Sequence, residues 1–425
     1  MRPRRVTVFG AGYVGLVAGA CLSKSGHTVT VLDVDEKKLL SLRGGVTPFH
    51  EPGLDEIITG SIEAGRLVFE HPSNVTDFGE YVYVAVGTPS TSTGSSDLRF
   101  ISAVVEQIVA TVPAGTIVIM KSTVPPGTGT ALEKRLESHG IGYVSNPEFL
   151  REGNAVKDWY ETDRMVLGGK PETVDKAAEL YEDIVAPILR CDIPSAELIK
   201  YASNAFLAMK ISFANEIANL CNTVDADVTT VMKGVGLDKR IGGSFLNAGI
   251  GYGGSCFPKD TRALDYLYSV NGHHSPLLKA VIDVNAFQRR VPVTAIRHRL
   301  GDLQGVRVAV LGLTFKPHTD DTREAPAGDI IRMLLVEGAI VPAYDPVCVM
   351  DFESDQYTQV GSVEEAVRDA CAVIVATEWD EICEADWKTM TATMAEPKLV
   401  FDGRNCVDPA DVRAGGGEYV GVGRR

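Results

Sequence analysis

Short apolar runs, each closed by a glycine or a polar turn, alternate along this chain with stretches whose apolar residues recur every three or four positions. Val6-Thr-Val-Phe9 is the first run. Gly10-Ala-Gly12-Tyr-Val-Gly15 follows, then a helix-like stretch through Lys24, a turn at Gly26-His27, and a second strand from Thr28 to Leu32 ending at Asp33. That order and size are those of a βαβ unit. The pattern predicts further strands at 81–86, 116–120 and 142–144, with helices over about 98–110 and 128–139. Strands alternating with helices imply a parallel, doubly wound sheet covered on both faces.

From Ser195 the period changes. Glu197, Lys200, Asn204, Ala208, Ile211 and Asn215 recur at spacings of three and four and share one face of a long helix, with Leu198, Tyr201, Phe206, Met209 and Phe213 supplying apolar mass around it. Ser195 reads as its N-cap, and Glu197 in the first turn suits the helix dipole. Helical texture continues to about residue 300. Strand-like runs then return at Val306–Leu311, Ala339–Ala343, Ala372–Ala376 and Leu399–Phe401. The tail after Asp408, rich in Gly and Arg, reads as loose. The expected fold is α/β: two doubly wound parallel-sheet domains, 1–194 and 301–425, joined by a central helical region, 195–300, with one long helix.

Composition narrows the function. At 425 residues, 45% hydrophobic and 23% charged, the chain has ample core for more than one domain. A net charge of −15 argues against a nucleic-acid binder, which needs clustered Lys and Arg, but leaves room for a small anionic ligand held by local donors. The eight cysteines form no CxxC pair, and no His cluster has zinc spacing, so they read as thiols in a reducing compartment, with no metal. The basic start, Met-Arg-Pro-Arg-Arg, runs straight into a strand. No signal peptide or membrane span is expected, and the reading is a cytoplasmic protein.

Gly10, Gly12 and Gly15 stand after a strand and open a helix, the context that GxGxxG needs for a dinucleotide. The first permits the tight turn, the second admits the pyrophosphate, the third allows helix–strand packing, and the helix N-terminus faces the phosphates. Asp33 can accept hydrogen bonds from ribose hydroxyls and would repel a 2′-phosphate, which favours NAD over NADP. Lys38 either reaches the adenosine end or is a solvated helix lysine.

Gly251-Tyr-Gly-Gly-Ser-Cys256-Phe-Pro-Lys259-Asp260 sets one cysteine in a glycine-rich loop ahead of a helix expected to start near Lys259. Glycines admit a substrate to the backbone, and a cationic or helix-terminal field favours a thiolate. A cysteine in a turn is more often just buried, as the other seven are read here, but the dense glycine flank sets Cys256 apart. Asn146-Pro-Glu148-Phe-Leu-Arg-Glu152-Gly follows the fifth strand of this reading, on the carboxyl edge where open α/β sheets bind ligands. Glu148 and Glu152, four apart, equally suit a solvated helix face. Ser122-Thr123-Val-Pro-Pro-Gly ends a strand on the same edge. Lys200 and Asn204 project from one helical face, where a lysine is ordinarily a surface residue.

Together these segments resemble the UDP-glucose/GDP-mannose dehydrogenase family. The motifs are GAGYVGL at 10–16, VAVGTP at 84–89, STVPPGT at 122–128, NPEFLREG at 146–153, ELIKYASNAFLAMKISFANE at 197–216, GYGGSCFPKD at 251–260, FKPHTDDTRE at 315–324 and DGRN at 402–405. They run in order across nearly the whole chain.

The resemblance implies a Rossmann-like NAD domain, a central helix that makes a homodimer or higher homo-oligomer, and a Rossmann-like UDP-binding domain. It implies oxidation of a nucleotide sugar's C6 hydroxyl to a carboxylate with two NAD+, through a thiohemiacetal and thioester on Cys256. On this chain Lys200 and Asn204 would then stabilise the oxyanion. Glu148 would act as acid/base, with Thr123 and Asp260 holding the water and Glu152 near nicotinamide and substrate. The NAD contacts implied are Gly10, Gly12, Tyr13, Val14, Gly15, Asp33, Lys38, Gly87, Thr88, Pro89, Ser122, Thr123, Glu152, Lys259 and Arg323. Substrate contacts implied are Glu148, Phe149, Leu150, Arg151, Glu152, Lys200, Asn204, Phe245, Asn247, Ile250, Tyr252, Gly253, Phe315, Lys316 and Arg404, with Arg240 reaching the partner subunit's site. Cys256-Phe257-Pro258 rather than Cys-Leu-Pro tilts the sugar nucleotide to UDP-glucose, with GDP-mannose or another nucleotide hexose as the alternative. An idle nucleotide-sugar sensor would not need Cys256, Lys200, Asn204, Glu148 and Asp260 together. A one-step 2-hydroxy-acid dehydrogenase would need a catalytic His, and none of the eight sits in such a motif.

Overall fold

The computed structural model describes residues 2–424. The chain folds as two compact units, Met1–Ser203 and Asn204–Arg425. In the first unit eight strands among the described residues form one sheet: β1 Arg5–Phe9, β2 Thr28–Leu32, β3 Leu67–Glu70, β4 Tyr81–Val84, β5 Ile117–Met120, β6 Gly142–Ser145, β7 Met165–Gly169 and β8 Ile188–Cys191. Their spatial order is β3-β2-β1-β4-β5-β6-β7-β8. All neighbours are parallel except β6 and β7, which run antiparallel.

Alternate residues of these strands serve opposite faces, as a pleated sheet requires. Val6, Val8, Tyr81, Tyr83, Ile117 and Ile119 pack on one side. Phe9, Val82, Val84, Val118 and Met120 pack on the other. With both faces covered, each fully buried Val or Leu contributes about 1.5–3 kcal/mol.

The second unit repeats the plan. Among the described residues six strands, β9 Val308–Leu311, β10 Val341–Tyr344, β11 Tyr357–Gln359, β12 Ala372–Val375, β13 Leu399–Asp402 and β14 Glu418–Gly421, form a parallel sheet ordered β11-β10-β9-β12-β13-β14. Both sheets therefore carry the doubly wound order in which the first strand of the unit lies inside, and each has a switch point, β1/β4 and β9/β12, where ligands bind at the carboxyl ends. Helices Val228–Gly236, Phe257–Val270, Pro276–Gln288 and Val291–Leu300 precede this sheet, and a helix of 32 residues, Ile193–Val224, runs from the first unit into the second.

Several expectations need correction. The long helix starts at Ile193, not after Ser195. Asp192 holds its first turn, its Oδ1 accepting from the Ser195 N–H at 2.8 Å and its Oδ2 from the Ser195 hydroxyl at 3.0 Å. The tail is not loose: Pro409–Ala414 is a helix, and β14 pairs in parallel with β13. Tyr419 on β14 donates to the buried Asp402 carboxylate at 3.0 Å, so the glycines of this segment end a helix rather than dissolve the chain. The helix after Cys256 starts at Phe257, and the 146–153 segment follows the sixth strand because β3 went unread. No helix among the described residues is long and apolar enough to cross a membrane.

Candidate active site

At the end of β1 the three glycines of the first motif meet three different surroundings. Gly10 has φ +100°, and a Cβ there would lie 2.7 Å from the Ala85 carbonyl oxygen. A Cβ on Gly15 would fall 1.9 Å from the Gly10 carbonyl oxygen, so the helix Tyr13–Lys24 lies against the turn only because that residue is glycine. Gly12, at the N-cap, has nothing within 4 Å of a Cβ, and neither does Gly87 beyond β4. Backbone is thus open where a pyrophosphate would lie on a helix N-terminus.

Asp33, past β2, takes the Ala11 N–H at 2.8 Å and the Lys38 ammonium at 3.0 Å on Oδ2, and the Asp35 N–H at 3.0 Å on Oδ1. Burial pushes this carboxyl up, but those donors outweigh it and hold it below the usual carboxylate range. It is ionised at neutral pH. The Lys38 side chain folds back onto Asp33 and is not a freely solvated helix lysine.

The second group stands on the carboxyl edge of the same sheet. Glu148, just past β6, is not on a solvated helix face. It is buried in a loop, its Oε1 2.9 Å from Lys200 Nζ and its Oε2 accepting the Leu150 N–H at 2.6 Å. Burial raises its proton affinity, yet the Lys200 charge and hydrogen bond prevail and hold the carboxyl below its ordinary range. Lys200 is 3% exposed, contrary to the ordinary expectation for a helix lysine. Phe149 lies under both Lys200 and Arg164, 5.4 and 4.1 Å from the ring centre. Glu152 is half-buried, and Thr123, also half-buried, offers its carbonyl oxygen to the Thr88 hydroxyl at 3.0 Å. Ser122 donates to the Val86 carbonyl at 2.7 Å. Arg151 is committed to Asp158, its Nε 2.9 Å from Oδ2.

The third group is in the second unit. Cys256 occupies the N-cap of Phe257–Val270, where the first-turn N–H groups and the helix dipole favour an anion. Its sulfur is 3.5 Å from the Ser255 hydroxyl. Asp260, fully buried in the first turn of that helix, donates its N–H to the Cys256 carbonyl at 2.8 Å. Its carboxylate accepts from Asn204 Nδ2 at 2.6 Å and from Lys259 Nζ at 2.5 Å.

The loop's glycines face the protein. A Cβ on Gly253 would lie 2.3 Å from the Glu324 carbonyl oxygen, and one on Gly254 2.8 Å from the Phe315 ring. A side chain at either position would collide with this packing, which alone calls for glycine there. Asn285 clasps the loop by accepting the Tyr252 N–H at 2.7 Å and donating to the Tyr252 carbonyl at 3.1 Å.

Arg404, past β13, donates through Nε to the Ala376 carbonyl at 2.7 Å, and its Nη atoms reach the Gly251 and Phe315 carbonyls at 3.5 Å. It ties the cysteine loop to the carboxyl edge of the second sheet. Phe315 and Lys316 follow β9 on that edge, half-buried. Among the described residues all eight cysteines are thiols; Cys383 and Cys406 bring their sulfurs to 2.6 Å.

Comparison with known proteins gives this geometry a family. Three models of the UDP-glucose/GDP-mannose dehydrogenase family match in order: its NAD binding domain at residues 4–185, its central domain at 194–287 and its UDP binding domain at 309–409. The chain belongs to the UDP-glucose/GDP-mannose dehydrogenase family. A Bacillus subtilis relative named UDP-glucose 6-dehydrogenase YwqF is 44% identical over 433 residues, covering 99% of this chain and 98% of the relative. The solved UDP-glucose dehydrogenase of Pyrobaculum islandicum is 37% identical, with a TM-score of 0.91 over 100% of this chain and 98% of that one. A solved GDP-mannose dehydrogenase from Pseudomonas aeruginosa is 28% identical, with a TM-score of 0.54 over 98% of this chain and 99% of that one. The chain is an NAD-dependent oxidoreductase of nucleotide-sugar metabolism.

For a dehydrogenase of this family the open glycine cradle fits NAD. We expect Asp33→Ala to raise KM for NAD by about 10- to 100-fold, the worth of hydrogen bonds to a charged group. It should also narrow the preference over NADP, because Lys38 then loses its carboxylate and can meet a 2′-phosphate. Steady-state kinetics with both cofactors checks this; an unaltered preference contradicts the role given to Asp33.

The remaining candidates are less engaged. Arg240 is an exposed side chain on its own Asp238, 2.6 Å away. Arg323 is likewise exposed and pairs with Asp321 at 2.8 Å. Phe245 holds φ +64° and meets Phe257 edge-on at 6.1 Å. Ile250 and Tyr252 are buried, and Asn247 is exposed.

Glu51 went unread. Its buried carboxylate takes the N–H groups of Gly153 and Ala155, each at 2.7 Å, and the Tyr13 hydroxyl, fixing the loop that carries Glu148 to Glu152. Glu197 also does more than line a helix face. It accepts the Gly127 and Gly129 N–H groups at 2.7 Å each, and burial raises its carboxyl to about 7 despite them. Neither contact has a local signature: a glutamate beside Pro52-Gly53 reads as a solvated turn.

Proposed function

We propose that this dehydrogenase oxidises the C6 hydroxyl of UDP-glucose to the carboxylate of UDP-glucuronate, with Cys256 as nucleophile. The observation that carries the reading is the setting of Cys256: a helix N-cap whose first turn is fixed by a fully buried aspartate held on Asn204 and Lys259. Bound NAD+ supplies the hydride acceptor, two equivalents per sugar. Lys200 and Asn204, one turn apart on Ile193–Val224, stabilise negative charge on the C6 oxygen as the hydroxyl gives up its proton to a water in the site. The Cys256 thiolate adds to the aldehyde, which then resembles an alcohol again and can be oxidised once more, to a thioester. Glu148, ionised in its pair with Lys200, takes a proton from the water that hydrolyses the thioester, with Thr123 and Asp260 orienting that water. Glu152, Phe149 to Arg151, Asn247 to Gly253, Phe315, Lys316 and Arg404 make up the rest of the sugar-nucleotide contacts in this reading, and Arg240 serves the partner subunit.

UDP-glucose is favoured over GDP-mannose by the company the chain keeps: the relatives with 37–44% identity described above carry UDP-glucose in their names. We expect kcat/KM for UDP-glucose to exceed that for GDP-mannose by about 10²-fold or more, since a site built to hydrogen-bond one base rejects another that leaves buried groups unpaired. NADH formation with each sugar nucleotide decides it, and a preference for GDP-mannose contradicts the assignment.

The division 1–194, 195–300, 301–425 goes with this reading, as does a homodimer through the central helix. Phe206, Phe213 and Leu220, 59, 46 and 55% exposed, form a ridge at seven-residue spacing, and an exposed apolar ridge of that kind is suited to a second copy. The thiols suit a reducing, cytoplasmic setting.

A further inference from the structure

Two thiols that the reaction above does not use touch each other in the second unit. Cys383 and Cys406 bring their sulfurs to 2.6 Å although they stand 23 residues apart in sequence. Cys383 ends the short helix Asp380–Cys383 after β12, and Cys406 leaves the turn after β13. Cys21, Cys221 and Cys348 are buried, as packing cysteines are, but both members of this pair are half-buried and open to a small molecule.

Both thiols stand on braced backbone. The Cys383 N–H donates to the Trp379 carbonyl at 2.9 Å, and the Trp379 indole is anchored on Thr314 Oγ1 and Asp345 Oδ2, each at 3.1 Å. Opposite, the buried Asp402 takes the Arg404 N–H at 3.1 Å and the Val407 N–H at 2.8 Å. Asn405, at φ +55°, donates to the Val422 carbonyl at 2.8 Å and accepts its N–H at 3.0 Å. The frame therefore sets the meeting of the sulfurs. A sulfur–sulfur bond of about 2.05 Å asks for a shift of less than about 1 Å. Arg404 lies in the same turn, its Nε 2.7 Å from the Ala376 carbonyl and 3.2 Å from Glu378 Oε2, so the loops after β12 and β13 already meet through it.

We propose that Cys383 and Cys406 are a redox modification site, a dithiol that a low-molecular-weight disulfide such as oxidised glutathione converts to an intramolecular disulfide, and that the closed bond tightens the hold of the Arg404 turn on the sugar nucleotide. The second half rests on the reading of Arg404 as a substrate contact. The hydrogen bond with Cys383, with burial and the Asp402 charge behind it, raises the Cys406 thiol well above its ordinary range, so Cys383 attacks first. Its thiolate breaks the sulfur–sulfur bond of the oxidant, forming a mixed disulfide and releasing one small thiol. Cys406 then attacks the Cys383 sulfur and expels the second. Each departing thiolate takes up the proton its attacker gave, and two electrons pass from the pair to the oxidant. In a reducing pool the site rests as the dithiol, and the bond is a transient response to oxidation. Closing it removes freedom from the Arg404 turn, so less ordering is left for the nucleotide to impose.

The full-length enzyme is equilibrated with reduced or oxidised glutathione, quenched with an alkylating reagent, digested and read by mass spectrometry. We expect a linked peptide pair two hydrogens lighter, with fragmentation placing the link on Cys383 and not on Cys371. Alkylation of both thiols should fall by about 10-fold or more and return with reduced glutathione. Glutathione also reaches Cys256, so affinity is measured in Cys256→Ser, by calorimetry with UDP-glucose. The oxidised form should bind about 3-fold more tightly than the reduced one. Adding Cys383→Ser should abolish that difference, and Cys406→Ser serves in its place if that chain does not fold.

Glutathione adducts on Cys383 or Cys406 without a link between them would overturn the site, and so would two thiols that stay free. A linked pair with unchanged or weaker affinity overturns the effect on the Arg404 turn, as does a difference that persists in Cys383→Ser. Failure to bind UDP-glucose in either redox state would instead sink the underlying reading of the substrate, and the peptide link would still decide the bond.

Discussion

Cys256→Ser stops turnover: kcat with UDP-glucose and NAD falls by roughly 10³-fold or more, while the sugar nucleotide still binds. A serine hydroxyl remains protonated where a thiol at a helix N-cap is helped to ionise, so it adds poorly to the aldehyde, and the second oxidation has no adduct to act on. The fold should tolerate the exchange, since the turn is fixed by Asp260, Asn204 and the glycine packing against Glu324 and Phe315 rather than by the sulfur. Kinetics and equilibrium binding on the one variant separate chemistry from affinity. Undiminished NADH production in Cys256→Ser would refute covalent catalysis.

Lys200→Met is expected to act on rate and stability together. Loss of a preorganised cation at a developing oxyanion lowers kcat by about 10²–10³-fold. It also leaves Glu148 buried on the Leu150 N–H without its cation, and breaking a buried pair in this way costs about 3–5 kcal/mol. Adding Glu148→Gln removes the stranded charge, so the double variant should regain most of the stability and none of the activity. Denaturant unfolding and kinetics on the two variants check both arms; additive stability losses would contradict the coupling.

The pH dependence has a definite sign. Glu148 has its folded pKa below the ordinary value of 4.5, so the pair's stabilisation is fully present above that value and is lost as pH falls through the lower, folded one.

The alternation of strands and helices was legible because both sheets are buried on both faces, which makes each strand a compact apolar run such as Ile117-Val-Ile-Met120. Strands that carry less of that signature went unread: β3 ends on Glu70, β8 contains Arg190, and the edge strand β11 has three residues. Asp192 as helix cap and Tyr419 on Asp402 depend on partners that spacing alone does not identify.

Among the candidate groups, the glycines and Asp33 were readable since their roles follow from backbone geometry at the end of a strand. Lys200 and Asn204 were recognisable only as parts of collinear motifs, whereas the glycine flank of Cys256 already set it apart from the other cysteines. Glu51, Lys121 and Asn285 were not, because each acts through neighbours 25 to 105 residues away. A buried lysine directly after four apolar strand residues was the one available hint.

The most direct measurement is the number of NADH formed per UDP-glucose consumed, with the product identified. Two NADH and a uronate are predicted. One NADH with an aldehyde or ketone as the end product would contradict the account.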